Sequence, residues 1–366
     1  MPKLGDLIAH LEAWAPPNWA WERDNTGLQL GDPEQPVRRV LIALDLTEAV
    51  VAQAASWPAE LILTHHPPLY RPLRRCTTQD ALGRMLLHLA RIGCAVYSIH
   101  TNLDVAPGGV NDVLAERLGL RRVRVLEPMR GQLRKLVTFV PITHVELVRR
   151  ALAEAGAGRI GSYAECAFEV RGTGSFRPLA GARPYLGEAG RLERVEEVRL
   201  EMEVPSWRLA AALEALRAVH PYEEPVWDVY VLERATSGVG MGRIGELSAP
   251  LAPGDFLEYV AERLAVRALR YAAGPQERIS RVAVCGGAGA DLWWVAAQQG
   301  ADALVTADVR YHAFQEASGA LWLLDAGHYE TEAPILQVLA ERLQRAFPDL
   351  ECQVGQCTSP ISTYVS

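Results

Sequence analysis

The 366-residue chain is longer than the roughly 100 to 200 residues of a typical single domain, so one small domain is excluded. Apolar residues make up 49% and charged residues 22% of the sequence, a balance that is typical of a folded, soluble protein and excludes intrinsic disorder. The net charge of -7 makes nucleic-acid binding an unfavourable hypothesis, because phosphate recognition requires a dense basic surface.

The first predicted element is an amphipathic helix over residues 1 to 14. This segment lacks the basic region, apolar region and cleavage site of a signal peptide. No later run approaches the about 18 apolar residues that span a bilayer, so an integral membrane protein is excluded. The six cysteines include no C-x-x-C pair, which is typical of a reducing compartment. We therefore expect a cytoplasmic protein.

Apolar strands and helices alternate over residues 1 to about 128. Strands are predicted at 40–46, 60–66 and 94–100, and helices at 48–56 and 80–93. Continuous apolar strands joined by helical crossovers indicate a mainly parallel sheet that is covered by helices on both faces.

The same pattern returns near the end of the chain. Strands are predicted at 281–287, 302–308 and 320–327, with helices between them and one long amphipathic helix over 328–347. The two ends of the sequence therefore resemble two halves of one α/β domain.

The middle of the chain has a different order of elements. Residues 132–234 predict strand, helix, strand, strand, helix, strand, which is the ferredoxin-like α+β pattern and is complete in itself. We therefore predict an inserted domain at 132–234 within a discontinuous outer domain made of 1–131 and 235–366. Gly238, Gly240 and Gly242 follow the insert and predict a hinge.

Two adjacent histidines, His65 and His66, end the second predicted strand and are followed by Pro67 and Pro68. Neighbouring side chains on a strand point to opposite faces, so one buried and one exposed histidine is an equal alternative. The prolines stop the strand, however, and both rings can then turn toward one cleft at the carboxyl end of the sheet.

Further ligand-type residues follow other predicted strands. Asp104 comes after the strand that ends at His100, and His328 and Glu332 have the i, i+4 spacing that places both on one face of a helix. An ordinary helix cap and a surface His–Glu pair are the alternatives. Together with His65 and His66, these residues are a ligand set for one or two divalent ions, with a carboxylate able to bridge a pair.

Two other segments leave alternatives open. The CGGAG sequence at 285–289 follows a strand and opens a helix, so it predicts either a phosphate-binding turn or a tight turn with close packing. Residues 24–28, Asp-Asn-Thr-Gly-Leu, either cap a loop or line the cleft.

The ordered motifs resemble the NGG-interacting factor three-like family, also described as GTP cyclohydrolase I type 2 homologs. The resemblance covers essentially the whole chain and rests on DNTGLQLG (24–31), THHPP (64–68), SIHTNLD (98–104), CGGAG (285–289) and GHYETE (327–332). Residues 161–188 and 220–230 further resemble the PII/CutA-like domain of the long bacterial form. One departure is Thr306-Ala307-Asp308, where the family usually has glycine between the threonine and the acidic residue.

The resemblance implies a dinuclear divalent-metal site with His65, His66, Asp104, His328 and Glu332 as ligands. Zinc, manganese and iron are the candidate metals. It also implies a toroidal homohexamer whose sites face an internal cavity.

Two classes of function are consistent with this implied site. One is a metal-dependent hydrolase of a nucleotide-like small molecule, by GTP ring opening or phosphoester hydrolysis, with Glu330 as the carboxylate that moves protons. The other is a non-catalytic metal-binding scaffold or regulator in which the insert acts as a sensing module.

Overall fold

The computed structural model describes residues 1–356 and 359–362 and has a mixed α/β fold with several sheets. The chain divides into two compact units, the first made of residues 1–128 with the chain from 238 onward, and the second made of residues 129–237.

In chain order the helices are α1 (Leu4–Trp14), α2 (Glu48–Ser56), α3 (Ala81–Ile92), α4 (Thr101–Val105), α5 (Val110–Arg117), α6 (Val145–Glu154), α7 (Leu209–Val219), α8 (Pro253–Leu264), α9 (Trp293–Gln298), α10 (Tyr311–Ala317), α11 (His328–Glu332) and α12 (Ile335–Ala346). The strands are β1 (Gly27–Leu30), β2 (Arg39–Ala43), β3 (Leu61–Thr64), β4 (Ala95–Ser98), β5 (Arg121–Arg130), β6 (Leu133–Pro141), β7 (Ala167–Phe176), β8 (Glu193–Pro205), β9 (Trp227–Leu232), β10 (Ala235–Leu251), β11 (Arg270–Ala272), β12 (Ile279–Val284), β13 (Ala303–Thr306), β14 (Trp322–Asp325) and β15 (Glu351–Val354).

One sheet of the first unit has the strand order β1-β4-β3-β2-β15. Strands β4, β3, β2 and β15 are parallel, whereas β1 pairs with β4 in the antiparallel direction. Every residue of β3 and β4 is buried, as expected for apolar strands that are covered on both faces. The carboxyl ends of β2, β3 and β4 therefore lie side by side at one edge of this sheet.

The other sheet of the first unit has the order β11-β14-β13-β12-β10-β5. Its central strands β14, β13 and β12 are parallel, and β11 and β10 flank them in the antiparallel direction. The single, mainly parallel sheet predicted for the outer domain is therefore wrong. Apolar runs identify buried strands but do not specify their partners, and β15, near the end of the chain, joins the sheet of β2.

The glycines predicted as a hinge lie inside strand β10. Gly238 and Gly242 have φ angles of 75° and 63°, a region that favours glycine. A side chain on Gly240 would overlap the backbone carbonyl of Glu127. The glycines therefore allow an irregular strand to approach its neighbour closely, and a hinge at these residues stays a prediction.

The long helix predicted over 328–347 is two helices, α11 and α12, with Pro334 between them. Proline has no backbone N–H and its ring clashes with the preceding turn, so the helix is interrupted there. The short helix α11 carries His328 and Glu332 at its two ends.

The second unit is built on a four-stranded antiparallel sheet with the order β7-β8-β6-β9. Its elements follow one another as strand, helix, strand, strand, helix, strand. Apolar residues of α6 and α7, such as Val148 and Leu216, pack with Val140 and Leu200 of the sheet in a separate core.

Within residues 1–356 and 359–362, none of the helices combines the length and the apolar character needed to cross a bilayer. The cysteines of that part of the chain are unpaired. Cys357 lies outside the described residues.

Candidate metal centre

The five residues predicted as metal ligands lie together in the first unit. The Nε2 atom of His65 is 3.5 Å from Oδ1 of Asp104 and 3.9 Å from Oε1 of Glu332. The other carboxylate oxygen of Glu332, Oε2, is 3.0 Å from Nε2 of His66 and 3.1 Å from Nε2 of His328. The Glu332 carboxylate thus lies between the His65 ring on one side and the rings of His66 and His328 on the opposite side.

The strand ends explain how these residues meet. The backbone N–H groups of His65 and His66 still donate to the carbonyls of Ala43 and Leu44, so both histidines remain tied to the end of β2 before Pro67 stops the pairing. Their rings lie 5.0 Å apart at an angle of 46°, and their ligand atoms lie within 4.8 Å of each other. Asp104 is placed by the short helix α4 and not by a turn.

The Nδ1 atom of each histidine at the site faces an acceptor. The pairs are His65 with the carbonyl of Ile99 at 2.8 Å, His66 with Asp45 at 2.8 Å, His100 with Asp24 at 2.8 Å and His328 with Asp308 at 2.7 Å. Because carbonyl and carboxylate oxygens only accept, each Nδ1 carries the hydrogen. The Nε2 atom is then the position left for a metal, in the arrangement that metal-binding histidines commonly adopt.

His100 belongs to this cluster although the predicted ligand set omitted it. Ligand atoms of His65, His66 and His100 all lie within 4.8 Å of one another, and so do those of His66, His328 and Glu332. The signal in the sequence was its position at the end of β4, next to the strand that carries His65 and His66.

Asp24 is the second residue that the sequence did not assign. It accepts from the His100 ring and from the backbone and hydroxyl of Thr101, and its side chain is 1% exposed. Burial opposes ionisation, but these hydrogen bonds outweigh it and lower the pKa of Asp24 to about 2. Residues 24–28 were expected either to cap a loop or to line the cleft, and Asp24 lines the cluster.

The two neighbouring histidines have opposite pKa shifts. Complete burial lowers the pKa of His65 to about 3, so this ring is neutral. Burial also opposes protonation of His66, but the hydrogen bond to Asp45 and the Glu332 carboxylate raise its pKa to about 10. The Glu332 carboxylate, helped by Asp308, raises the pKa of His328 to about 9. Without metal, the cluster therefore carries two protonated rings at neutral pH.

The two carboxylates at the centre also differ. Burial and the adjacent Glu332 raise the pKa of Asp104 above its usual range. Burial acts in the same direction on Glu332, but its interactions with His328 and His66 hold the pKa of that carboxyl below its usual range. The negative charge is therefore concentrated on Glu332.

Three buried atoms at the centre have no hydrogen-bond partner among the described residues. They are Nε2 of His65, Oδ1 of Asp104 and Oε2 of Glu332, although two ring nitrogens approach the last atom closely at unsuitable angles. An unpartnered buried polar atom is costly unless something else satisfies it. Imidazole nitrogens and carboxylate oxygens are the usual ligands of first-row divalent metals, so the residues fit such a group.

The cluster is buried on one side and accessible on the other. The side chains of His65 and Glu332 are 0% and 4% exposed, whereas those of His100, His66 and His328 are 19%, 21% and 31% exposed. The ring of Tyr70, itself 51% exposed, stands edge-on to His100 at 6.4 Å between centroids. Solvent and small molecules can therefore reach the centre from the side of these three histidines.

Two further acidic residues differ in their relation to the cluster. Asp308 has a φ angle of 53°, in the region that favours glycine, and accepts from His328, so it contacts the site despite the departure at Ala307. Glu330 lines a neighbouring cavity of about 530 Å³ with Gly327 and Tyr329. Within residues 1–356 and 359–362, no hydrogen bond or ion pair joins Glu330 to the predicted ligands.

The glycine-rich turn at 285–289 supports the site by close packing. The backbone N–H groups of its three glycines donate to the side chains of Asn111, Thr331 and Thr306, so these three groups are already satisfied. Gly287 has a φ angle of 61°, and a side chain there would overlap Oε1 of Glu332. The geometry favours the tight-turn alternative over the phosphate-binding one.

The chain is similar to known proteins over most of its length. The model of the protein family Duf34/NIF3 (NGG1p interacting factor 3) matches residues 2–363 of this chain. The GTP cyclohydrolase 1 type 2 homolog of Bacillus subtilis (strain 168) is 41% identical over 325 residues, which cover 88% of this chain and 87% of that protein. The protein of the same name from Halalkalibacterium halodurans is 39% identical over 359 residues, 98% of this chain and 96% of the relative.

A solved structure is similar over the whole chain. The crystal structure of a Bacillus cereus protein related to NIF3 superposes with a TM-score of 0.84 at 38% identity, covering 100% of this chain and 99% of that one. The family resemblance drawn from the sequence motifs is thereby confirmed. The chain belongs to the Duf34/NIF3 (NGG1p interacting factor 3) family.

Proposed function

We propose that this protein is a metal-dependent hydrolase that binds two divalent ions and acts on a nucleotide-like small molecule. The observation that carries the proposal is the set of three buried, unpartnered donor atoms on His65, Asp104 and Glu332, surrounded by rings whose Nε2 atoms face the same place. Such an arrangement is costly without a ligand and is satisfied by metal.

The geometry supports two ions over one. The two donor groups, His65–His66–His100 and His66–His328–Glu332, share His66 and otherwise use different residues. The two oxygens of Glu332 face different histidines, so this carboxylate could offer one ligand atom to each of two ions. Zinc, manganese and iron all accept this mixture of ligands.

The exposed side of the cluster supports catalysis over a purely structural role. Structural metal sites are closed by protein ligands, whereas catalytic sites keep a position that water or substrate can occupy. Divalent ions bound here would supply an activated water with a pKa lowered toward about 7 and would polarise the bond to be cleaved. His66, His100 and His328 border the side from which substrate arrives.

The chain's own residues hold the ligands in position. Asp45, Asp24 and Asp308 fix the orientation of three rings through Nδ1, and the Ile99 carbonyl fixes the fourth. Proton transfer needs a carboxylate that solvent can reach, and two candidates meet this condition. Asp308 contacts His328 directly, and Glu330 lines the adjacent cavity.

The substrate class rests on the names of the relatives. Proteins about 40% identical to this chain are described as GTP cyclohydrolase 1 type 2 homologs, which favours a purine nucleotide or a related phosphorylated heterocycle. Ring opening and phosphoester cleavage both add water to a polarised centre, so the same site is suited to either reaction.

The test is an activity assay with defined metal content. Metal-free protein is reloaded with zinc, manganese or iron(II) and incubated with GTP, other nucleotides and phosphodiesters, and mass spectrometry separates ring opening from phosphate release. We expect turnover that is lost on chelation and in His328→Ala but kept in the control His144→Ala, whose ring lies in the second unit. Loss in Glu330→Gln or Asp308→Asn with metal retained would identify the proton carrier.

The outcome also decides between enzyme and scaffold. If the protein binds metal but converts no substrate above the His328→Ala background, the hydrolase proposal is wrong and a metal-binding scaffold or regulator is the better description. If His65→Ala and Glu332→Ala retain full metal content by elemental analysis, the proposed ligands are wrong as well.

We further propose that residues 132–234 are an inserted PII/CutA-like domain within an outer domain made of 1–131 and 235–366. The separate core and the antiparallel order β7-β8-β6-β9 support this division. The family resemblance also leads us to propose a homohexamer. Sedimentation equilibrium measures the assembly, and a monomer at micromolar concentration would contradict it.

A further inference from the structure

The second unit contains a cavity of about 750 Å³, which is large enough for a small organic molecule. It lies outside the metal centre, and the residues that line it fall between Phe139 and Val226. Nothing in the proposed hydrolase chemistry uses it.

Aromatic rings form one wall of this cavity. Tyr222 lies between Phe176 and Tyr185, with ring centroids 6.1 Å and 6.3 Å away. The ring planes meet at 56° and 47°, so the rings are tilted against one another and do not stack. Aromatic faces arranged in this way attract cations through the negative potential of their π systems.

A nearly buried carboxylate lies at the same wall. Glu197 is 8% exposed, and its Oε1 accepts a hydrogen bond of 2.6 Å from the hydroxyl of Tyr222. Within the described part of the chain, no lysine, arginine or histidine forms an ion pair with Glu197, and its Oε2 accepts no hydrogen bond. Buried charges are normally paired with an opposite charge, and Glu197 has only the hydrogen bond from Tyr222 and an electrostatic interaction with His220, so it can still take a cationic partner.

The local backbone makes room for that carboxylate. Gly174 of β7 also lines the cavity, and a side chain at this position would overlap Oε2 of Glu197. The carboxylate therefore occupies the space that a larger residue would fill.

The other charged residues of the lining make the cavity acidic. Glu223 and Glu224 add two carboxylates, and Arg177 contributes the one guanidinium among the described lining residues. Arg177 donates to the carbonyl of Gly190 and forms no ion pair with Glu197, so it does not neutralise that carboxylate. An anionic ligand would meet an excess of negative charge here.

We propose that this cavity binds an organic cation, an ammonium group carried on an aromatic or apolar body. The ammonium group pairs with Glu197, and the body packs against Tyr222 and its two neighbouring rings. Carboxylate pairing supplies the charge selectivity, and the rings add cation–π attraction and apolar contact.

Isothermal titration calorimetry of the full-length protein with three probes of similar shape tests this proposal. The probes are phenethylamine, neutral 2-phenylethanol and anionic 3-phenylpropionate. We expect saturable binding of phenethylamine that is about tenfold or more tighter than that of the other two, because only the cation can pair with the buried carboxylate.

Two variants locate the binding at Glu197. Glu197→Gln removes the charge, and Gly174→Ala keeps the charge but displaces the carboxylate, so each should weaken phenethylamine binding about tenfold. Gly174 does not have a positive φ angle, so alanine can adopt its backbone conformation. The added methyl group would contact only the end of the flexible Glu197 side chain. Gly174→Ala therefore provides a folded test if Glu197→Gln does not fold. The control is Glu214→Gln, a change at an exposed residue of α7, which is expected to bind phenethylamine as the wild type does.

Three results would overturn the proposal. They are no binding of phenethylamine by the wild type, equal or tighter binding of 3-phenylpropionate, and wild-type affinity in both Glu197→Gln and Gly174→Ala.

Discussion

Metal binding to this cluster should depend steeply on pH, because the metal must displace protons. The raised pKa values of His66 and His328, about 10 and about 9, mean that both rings are protonated in the metal-free protein at pH 7. A proton on Nε2 occupies the position that the metal needs. Raising the pH removes this competition, so the affinity for metal should increase with pH.

The size of the effect follows from the two pKa values. Removing a proton from a group costs about 1.4 kcal/mol for each unit by which the pH lies below its pKa. Deprotonation at pH 7 therefore costs about 4 kcal/mol at His66 and about 3 kcal/mol at His328. For these two rings, the affinity should therefore rise about 100-fold per pH unit near pH 7 to 8, with about two protons released from His66 and His328. His65, with a pKa of about 3, is already neutral and adds nothing in this range.

Two measurements check this prediction. Competition with a zinc chelator of known protonation constants, from about pH 6.5 to 8.5, gives the slope of affinity against pH. Calorimetry in two buffers with different ionisation enthalpies counts the protons released. Asp45→Asn keeps a hydrogen-bond acceptor for His66 but removes the charge that raises its pKa, so fewer protons should be released. Asp255→Asn, an exposed change in α8, is the matched control.

A flat dependence of affinity on pH over this range, together with proton release near zero, would refute the reasoning. The protonated rings would then not be the ones that bind metal. Release of two protons that is unchanged in Asp45→Asn would keep the ligand assignment but contradict the role given to Asp45.

Three further perturbations have defined outcomes. Asp24→Asn should weaken metal binding about tenfold or more, measured by chelator competition, because His100 loses the carboxylate that orients its ring; unchanged affinity would remove His100 from the site. Arg243→Ala should lower the free energy of unfolding by about 3 kcal/mol or more in urea titrations, because Arg243 is 2% exposed and pairs with Asp112 through two hydrogen bonds of 2.7 Å. The control is Arg122→Ala, which removes an exposed ion pair with Glu246 and should lower the free energy of unfolding by at most about 1 kcal/mol. Equal losses of stability in Arg243→Ala and Arg122→Ala would contradict the burial argument. Replacing residues 132–234 with a short Gly/Ser linker should leave a soluble protein that still binds metal by elemental analysis, because all proposed ligands lie in the first unit; loss of metal would show that the division into units is wrong.

Much of the candidate site could be predicted from local sequence. His65, His66 and Asp104 follow apolar strands, and His328 and Glu332 have helical spacing, so each could be placed at a strand end or on one helix face. Parallel strands bring their carboxyl ends to one edge, and this general property was sufficient to predict that His65, His66 and Asp104 lie near one another.

Other parts of the site required the tertiary structure. His100 was visible in the sequence, but only the fold brings its ring within reach of His65 and His66 and places Asp24 behind it. Glu330 was expected to serve the reaction, yet Asp308 is the acidic residue that contacts His328. Hydrogen-bond partners that are far apart in sequence determine which ring nitrogen is free, and no local pattern records them.

By itself the sequence determined the α/β class, most of the strand and helix positions, the residues that are candidate ligands and the family. These properties depend on hydrophobic period, on the local chemistry of turns and on ordered motifs, all of which are read from neighbouring residues. Only the tertiary structure decided that the strands of the first unit form two sheets, that β15 joins β2, and which buried donor atoms remain without a partner. The physical reason is that strand pairing and burial are set by contacts between distant segments, whose free energies depend on the whole packed chain.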